Sequence, residues 1–262
     1  MKSLISINKK FMSIHPKDLV EMINLSKYTK GVEIYVNINN NNELEYLDKL
    51  VYELKRYNLL LQIHGEIELD LDRQITFIKN IENYSDYLNQ NIVITMHSIY
   101  SQNKEESLNK TVDYLSKLLK EIDTNKVTIS LENLNDMNKL DRLNKEDITS
   151  SVLNDEKLYF TYDIGHEIAD YGSITNLNKY MLEDIRNIHI HTISKEGIDH
   201  MPIYKNDSHI NEIHKAIEYL IVNNYKYNIV FEYGIEYCHG NTLEEEIKDY
   251  LNSIDEVSEK FN

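Results

Sequence analysis

Short apolar runs rich in β-branched residues alternate along this chain with longer segments whose apolar positions recur every three or four residues. The first pattern predicts strands at Leu4–Ile7, Val32–Val36, Leu59–Ile63, Ile92–Met96, Val127–Leu131, Leu158–Tyr162, Ile188–Ile190 and Ile229–Phe231. The second predicts helices between them, with stripes such as Leu44, Leu47, Leu50, Val51 and Leu54, then Leu115, Leu118, Leu119 and Ile122, then Ile213, Ala216, Ile217 and Leu220. Pro16 suits the first turn of a helix, and Asn241-Thr242 ahead of Glu244 and Glu245 reads as a cap and an acidic first turn. Eight βα units in 262 residues predict an α/β protein, a (β/α)8 TIM barrel formed as a single domain over residues 1–262. An open doubly wound sheet is the alternative, but no glycine-rich dinucleotide turn follows any strand. The longest connection, Thr192 to about Ser208, contains Gly197 and Pro202 and has the length of a functional βα loop.

The chemistry lies where these strands end. His64, His97, Glu132, Asp163, His191 and Glu232 each close or directly follow an apolar run, on six consecutive strands. In a barrel that edge is the active-site face, so the six side chains converge on one mouth. Three carboxylates there repel one another unless a divalent cation neutralises them, and a histidine completes a mixed nitrogen and oxygen set suited to Mn²⁺ or Zn²⁺. Singly, a strand-end histidine is more often a hydrogen-bonded structural residue; six ionisable ends in series are hard to obtain from packing, because burying unpaired charge is costly. His166 stands three residues after Asp163, within reach of the same pocket through a turn, and His200 lies on the long seventh loop, where it can close over the site. His189 shares strand parity with His191 but lies one layer deeper, where a structural role is favoured. His15, His209, His214 and His239 receive no role. Gly65, Gly165, Gly234 and Gly197 cluster near these residues in a chain with only 7 glycines, which suggests close backbone approach at the rim.

Composition narrows the options. The chain has 44 acidic residues against 28 basic ones, a formal charge of −16, which argues against broad capture of nucleic acid or of an anionic membrane. One cysteine, Cys238, excludes an internal disulfide and a cysteine-based zinc cluster. The N-terminus lacks the apolar run of a signal peptide and nothing reaches the length of a spanning helix, so the expectation is a cytoplasmic protein. Oligomeric state is not readable from any helix face.

Taken together, these strand-end residues resemble the xylose isomerase-like TIM barrels, a superfamily joining sugar isomerases and epimerases to the endonuclease IV type of AP endonuclease. In the epimerase branch one divalent metal is held after strands five to eight, which the resemblance carries onto Glu132, Asp163, His191 and Glu232. Asp163-Ile164-Gly165-His166 is similar to that branch's Asp-x-x-His, whose histidine contacts substrate. The endonuclease branch holds two or three zinc ions with a larger set, to which His64, His97, Glu132, Asp163, His166, His191, His200 and Glu232 correspond. A further Asp, expected two residues before the loop histidine, is Ile198 here, with Asp199 one position out of register. An arginine found beyond the strand-seven histidine in some ketose epimerases is absent.

The leading expectation is a metal-dependent isomerase or epimerase of a small sugar or sugar phosphate, with one bound ion. Glu132 and Glu232 would exchange protons through an enediolate while His166, helped by His64, His97 and His200, holds substrate oxygens. The alternative is an endonuclease IV-like zinc phosphodiesterase acting at abasic sites in DNA, favoured by His64, His97 and His200. A charge of −16 and only four arginines, Arg56, Arg73, Arg142 and Arg186, weigh against nucleic acid. A third possibility is a non-catalytic barrel that retains the metal.

Overall fold

The computed structural model describes residues 1–134, 158–174, 177, 182–194, 196–204 and 209–260. Eight parallel strands close into a barrel in chain order: β1 Lys2–Ile7, β2 Thr29–Tyr35, β3 Leu60–Gly65, β4 Ile92–Met96, β5 Val127–Glu132, β6 Leu158–Asp163, β7 Ile185–Ile190 and β8 Asn228–Phe231. The ring is completed by β1 pairing β8, Lys2 opposite Asn228. Among the described residues seven α-helices pack outside it: α1 Pro16–Leu25, α2 Asn41–Tyr57, α3 Leu71–Leu88, α4 Lys104–Leu118, α5 Ile164–Tyr171, α6 Ile210–Val222 and α7 Leu243–Ser258. The expected TIM barrel is therefore the observed one, and no helix among the described residues is long and apolar enough to cross a membrane. Arg142 and the end of the β7 connection, 205–208, lie outside the described residues.

Local sequence explains where the helices begin. Asn40, Asp70, Asn103, Asp163 and Thr242 each cap a helix by accepting a backbone N–H in the first turn, satisfying donors that have no intrahelical partner. His15 does the same for α1 through Nδ1, with Pro16 following it. Asn58 and Asn89 end α2 and α3 in the left-handed conformation that asparagine tolerates.

Strand alternation separates two environments. One set of side chains, including Ile5, Ile34, Ile63, Ile94, Leu131, Ile188 and Phe231, joins helix residues such as Leu19, Leu50, Ile78, Leu118, Leu220 and Ile254 in the apolar layer. The other set points into the barrel, and there the protein departs from the usual branched aliphatic filling. Glu33, Thr95, Ser130, Thr161, Asn187 and His189 are all fully buried. Asn187 Nδ2 donates to Glu33 Oε2 at 2.8 Å, Thr161 donates to Ser130 at 2.7 Å, and the Thr95 and Thr161 hydroxyls are 3.1 Å apart. Glu33, on β2, and Asn187, on β7, belong to strands that are not neighbours in the sheet, so their bond crosses the interior. The barrel floor is thus a hydrogen-bonded polar network, and the mouth stands directly above it.

Tyr250 ties the helical layer to that mouth. Its hydroxyl donates to the Phe231 carbonyl at 2.6 Å and accepts from the Tyr233 N–H at 2.7 Å, gripping the backbone on both sides of Glu232. Tyr250→Phe leaves a buried N–H without its partner and is expected to cost about 1–3 kcal/mol in urea unfolding. A midpoint unchanged within error would show that water replaces the hydroxyl.

Candidate metal centre

All eight residues singled out from the sequence meet at the C-terminal mouth, where they fall into three adjoining donor groups, with a fourth, Glu33, His64 and His189, beneath them. In the first, His64 Nε2, His97 Nε2 and Glu132 Oε2 stand 3.0, 3.0 and 3.3 Å from one another. In the second, His189 Nδ1 lies 3.1 Å from Glu132 Oε1, 2.9 Å from Glu232 Oε2 and 3.8 Å from Asp163 Oδ2. The third brings His166, His191 and His200 together, with Asp199 oxygens 3.2 Å from His191 Nδ1 and 3.8 Å from His166 Nε2. Atoms bound to one ion at about 2.1 Å are separated by roughly 3.0–3.4 Å, so most of these spacings suit shared ligation.

Unsatisfied atoms point the same way. Glu132 Oε2, Asp163 Oδ2, Glu232 Oε2 and His191 Nε2 are buried and make no hydrogen bond of good geometry, although Glu132 Oε2, Glu232 Oε2 and His191 Nε2 stand 3.0, 2.9 and 3.1 Å from an atom of opposite character. Buried polar atoms are almost always paired, and poorly paired carboxylate and imidazole atoms spread over adjoining donor groups are what divalent ions would satisfy. The donor set therefore fits a metal.

The surrounding residues aim these donors. Asp163 caps α5, its Oδ1 accepting the His166 N–H at 2.7 Å, which leaves Oδ2 for the mouth. Asn133, unremarked in the sequence, receives the Asp163 N–H at 2.8 Å and offers its carbonyl to His166 Nδ1 at 2.8 Å, so that His166 Nε2 faces the third group. Glu66 holds His97 Nδ1 at 2.7 Å in the same manner. Gly165 exists because the His191 ring lies on it: a Cβ there would sit 2.0 Å from His191 Cε1.

The β7 connection folds back as a short antiparallel bridge, with Thr192 and Met201 exchanging both backbone bonds at 2.9 Å. The Gly234 N–H then donates to the His200 carbonyl at 2.7 Å, fastening the loop to the end of β8. His200 adopts a left-handed backbone, φ 56. Adjacent side chains of an extended strand point to opposite sides. The left-handed residue breaks that alternation and lets Asp199 and His200 face one group, so the register mismatch seen in the sequence does not keep Asp199 out.

Charge in the centre is strongly coupled. For Glu132 and Glu232, burial favours the neutral acid, but His189 and His64 hold both carboxyls well below their usual range. For His64, burial opposes the charge, and Glu132 and Glu232 raise the imidazole well above its usual value. His200 goes the other way, lowered by burial and by His191. In His191 burial is outweighed by Asp163 and Asp199, which raise the imidazole to about 10. A raised folded-state value contributes stability that is complete below the unfolded value of 6.5 and is lost as pH climbs toward the folded one. Chelated protein is therefore expected to melt at progressively lower temperature across that interval, while metal-loaded protein, whose ions replace the protons, falls much less. Thermal unfolding with and without EDTA checks this, and a flat profile in EDTA would remove the imidazolium from the account.

The remaining histidines stay outside the cluster. His15 caps α1, His239 stacks on Tyr204, and His214 contacts Lys260.

Residues 29–256 match the family described as xylose isomerase-like TIM barrel. No curated protein matches the sequence. Among solved structures, a D-psicose 3-epimerase determined in the presence of D-fructose superposes with a TM-score of 0.73 at 12% identity, covering 100% of this chain and 99% of that one. A 3-keto-D-glucoside 4-epimerase from E. coli gives 0.66 at 13%, covering 97% and 98%. An AP endonuclease of family 2 from Brucella melitensis gives 0.67 at 14%, covering 93% and 96%.

Proposed function

The chain belongs to the xylose isomerase-like TIM barrel family, and from that membership we propose a divalent-metal-dependent enzyme with a centre of more than one ion that hydrolyses a phosphodiester. One observation carries the choice: the two carboxylate oxygens of Glu132 face different donor groups, Oε2 toward His64 and His97, Oε1 toward His189. A carboxylate placed so would offer one oxygen to each of two ions. It is also a poor proton shuttle, because both oxygens are engaged and neighbouring histidines hold it ionised. Bound divalent ions would acidify a water and neutralise the phosphoryl oxygens. The chain's part is to space the ions through Glu132, to set the outer group through His166, His191, His200 and Asp199, and to present Glu232 at the mouth.

The acidic chain limits what can approach. Arg73 gives a guanidinium N–H to the Ile38 carbonyl, Arg56 is paired with Glu53, and Arg186 lies between Tyr159 and Tyr227, at the start of β7 and away from the mouth. Abasic-site DNA is the first substrate to test, and binding is expected to rest on the metals more than on basic side chains.

A sugar isomerase or epimerase is the second reading, favoured by one feature. Glu132 and Glu232 approach the same His189 nitrogen, at 3.1 and 2.9 Å, and so flank one point as a pair of proton-transfer carboxylates must. Metal analysis of purified protein with two assays separates the readings. Two or three ions per chain with cleavage of an abasic-site oligonucleotide supports hydrolysis; one ion with ketose turnover supports the second reading and overturns the first. Bound metal with neither activity would point to a non-catalytic barrel.

A further inference from the structure

At the end of the barrel opposite the metal centre, where the strands begin, Lys2 and Asn228 open β1 and β8, and Thr128, Tyr159 and Arg186 stand second in β5, β6 and β7. Together with Gln90, Lys226 and Tyr227 from the connections, they line a cavity of about 430 Å³. That volume lies in the range of small-molecule sites. Chemistry in such barrels is carried by the loops of the other end, and this end ordinarily serves stability.

The charge of the cavity is opposite to that of the chain. Acids outnumber bases 44 to 28 in the sequence, yet the lining holds three cations, Lys2, Arg186 and Lys226, and no carboxylate. Among the described residues none of the three is in an ion pair. Like charges gathered on a concave surface concentrate their field, and an anion bound there offsets the repulsion.

Arg186 is the prepared donor. Its guanidinium carbon lies 3.7 Å from the Tyr159 ring centroid and 4.4 Å from that of Tyr227. The two aromatic contacts restrain a side chain that is otherwise rotamer-rich while leaving its N–H groups for acceptors, and one of these goes to the Glu183 carbonyl. The others form a fork that suits two oxygens of one phosphate. Gln90 adds a neutral donor, its Nε2 being buried with no hydrogen-bond partner. A clamp that merely closes the barrel base accounts for the tyrosine contacts, but it needs neither two lysines nor an open volume.

We propose that this cavity binds a phosphate group, that of a small monoester or the free ion, with Arg186 as the forked donor and Lys2 and Lys226 as flanking charges. The volume leaves space beyond the phosphate for the carbon portion of an ester. None of these residues belongs to the metal centre, so the proposal does not depend on the function proposed above.

The test titrates the intact zinc-loaded chain with ribose 5-phosphate, inorganic phosphate and uncharged ribose, followed by NMR of backbone amides and arginine Nε–H groups. Ribose 5-phosphate is expected to shift the Arg186 Nε–H and the amides of Lys226 and Asn228, whatever it does at the mouth, and ribose is expected to leave them in place. Lys226→Gln, an exposed substitution, should weaken this binding about 2–5-fold. Arg186→Lys, which keeps the charge and removes the fork, should weaken it roughly 10-fold or more. An ester that binds more tightly than inorganic phosphate identifies the monoester as the occupant, and equal affinities identify the free ion. Shifts confined to the mouth, shifts that sodium chloride reproduces at equal ionic strength, or an affinity untouched by Lys226→Gln and Arg186→Lys would overturn the proposal.

Discussion

Glu132→Gln is expected to reduce bound metal from two or more ions per chain to one or none and to lower turnover roughly 10²–10³-fold. The substitution keeps the size and shape of the side chain, so the result reads the chemistry of two oxygen atoms. A glutamine has one acceptor oxygen and one NH2 group. Whichever way the amide turns, either the His64–His97 side or the His189 side meets N–H donors where it had a carboxylate oxygen, and one ion loses its shared ligand. The neutral amide also removes a charge that offsets the cations, which weakens the ion that remains. Elemental analysis after dialysis, alongside the abasic-site assay, measures both effects. Full metal content with normal turnover would mean that Glu132 does not bridge, and hydrolysis would lose its main support.

A second large effect is expected from a single methyl group. Gly165→Ala places a Cβ 2.0 Å from His191 Cε1 and 2.3 Å from both ring nitrogens, distances at which something must move. The backbone has little room to yield, because Asp163 caps this helix at its N-terminus and Asn133, just past the neighbouring β5, holds Asp163 in place. The ring has little room either, being fully buried and stacked on His200. Displacement of His191 should therefore remove the outer ion and cost at least 10²-fold in activity, with a stability loss of about 1–3 kcal/mol from overpacking. Zinc content lower by one ion, with the barrel still folded by circular dichroism, is the expected signature. Wild-type metal content in this variant would place the His191 ring elsewhere in solution.

Much of this was legible in the sequence, and the exceptions have physical causes. The β4 strand has the bounds its apolar run predicts, Ile92–Met96, whereas β7 begins three residues earlier than its run. Arg186 and Asn187 interrupt the apolar pattern there, yet Asn187 is an interior residue. Alternation shows that two sides of a strand differ but not which side faces water. In this barrel the apolar side meets the helices and the polar side is sealed within, so Thr95, Ser130 and Thr161 look solvent-facing in sequence and are completely buried in the structure. Glu33 was hidden for the same reason. Asp199 was read as out of register because spacing rules presume an extended loop, whereas the left-handed His200 brings its neighbour to the same group. His189 and His191 could not be ranked by parity, since parity is blind to depth. The strand-end residues themselves were recognisable because each followed an apolar run, a placement that packing alone does not produce.

The hydrogen-bonded floor of the barrel also fixes how the eight strands can close. Aliphatic interiors tolerate a strand sliding by two positions, because one branched side chain replaces another and the parity of the faces is kept. Here such a slide on β2 would take Glu33 away from Asn187 and leave an ionisable group unanswered where no water reaches it, a penalty that cavities and altered packing do not match. The network therefore selects one stagger of the strands out of those that hydrophobic packing alone permits. Substitutions that convert this floor to aliphatic residues are then predicted to yield a barrel that is no less compact but closes in more than one register, scattering the mouth residues before it loses its core.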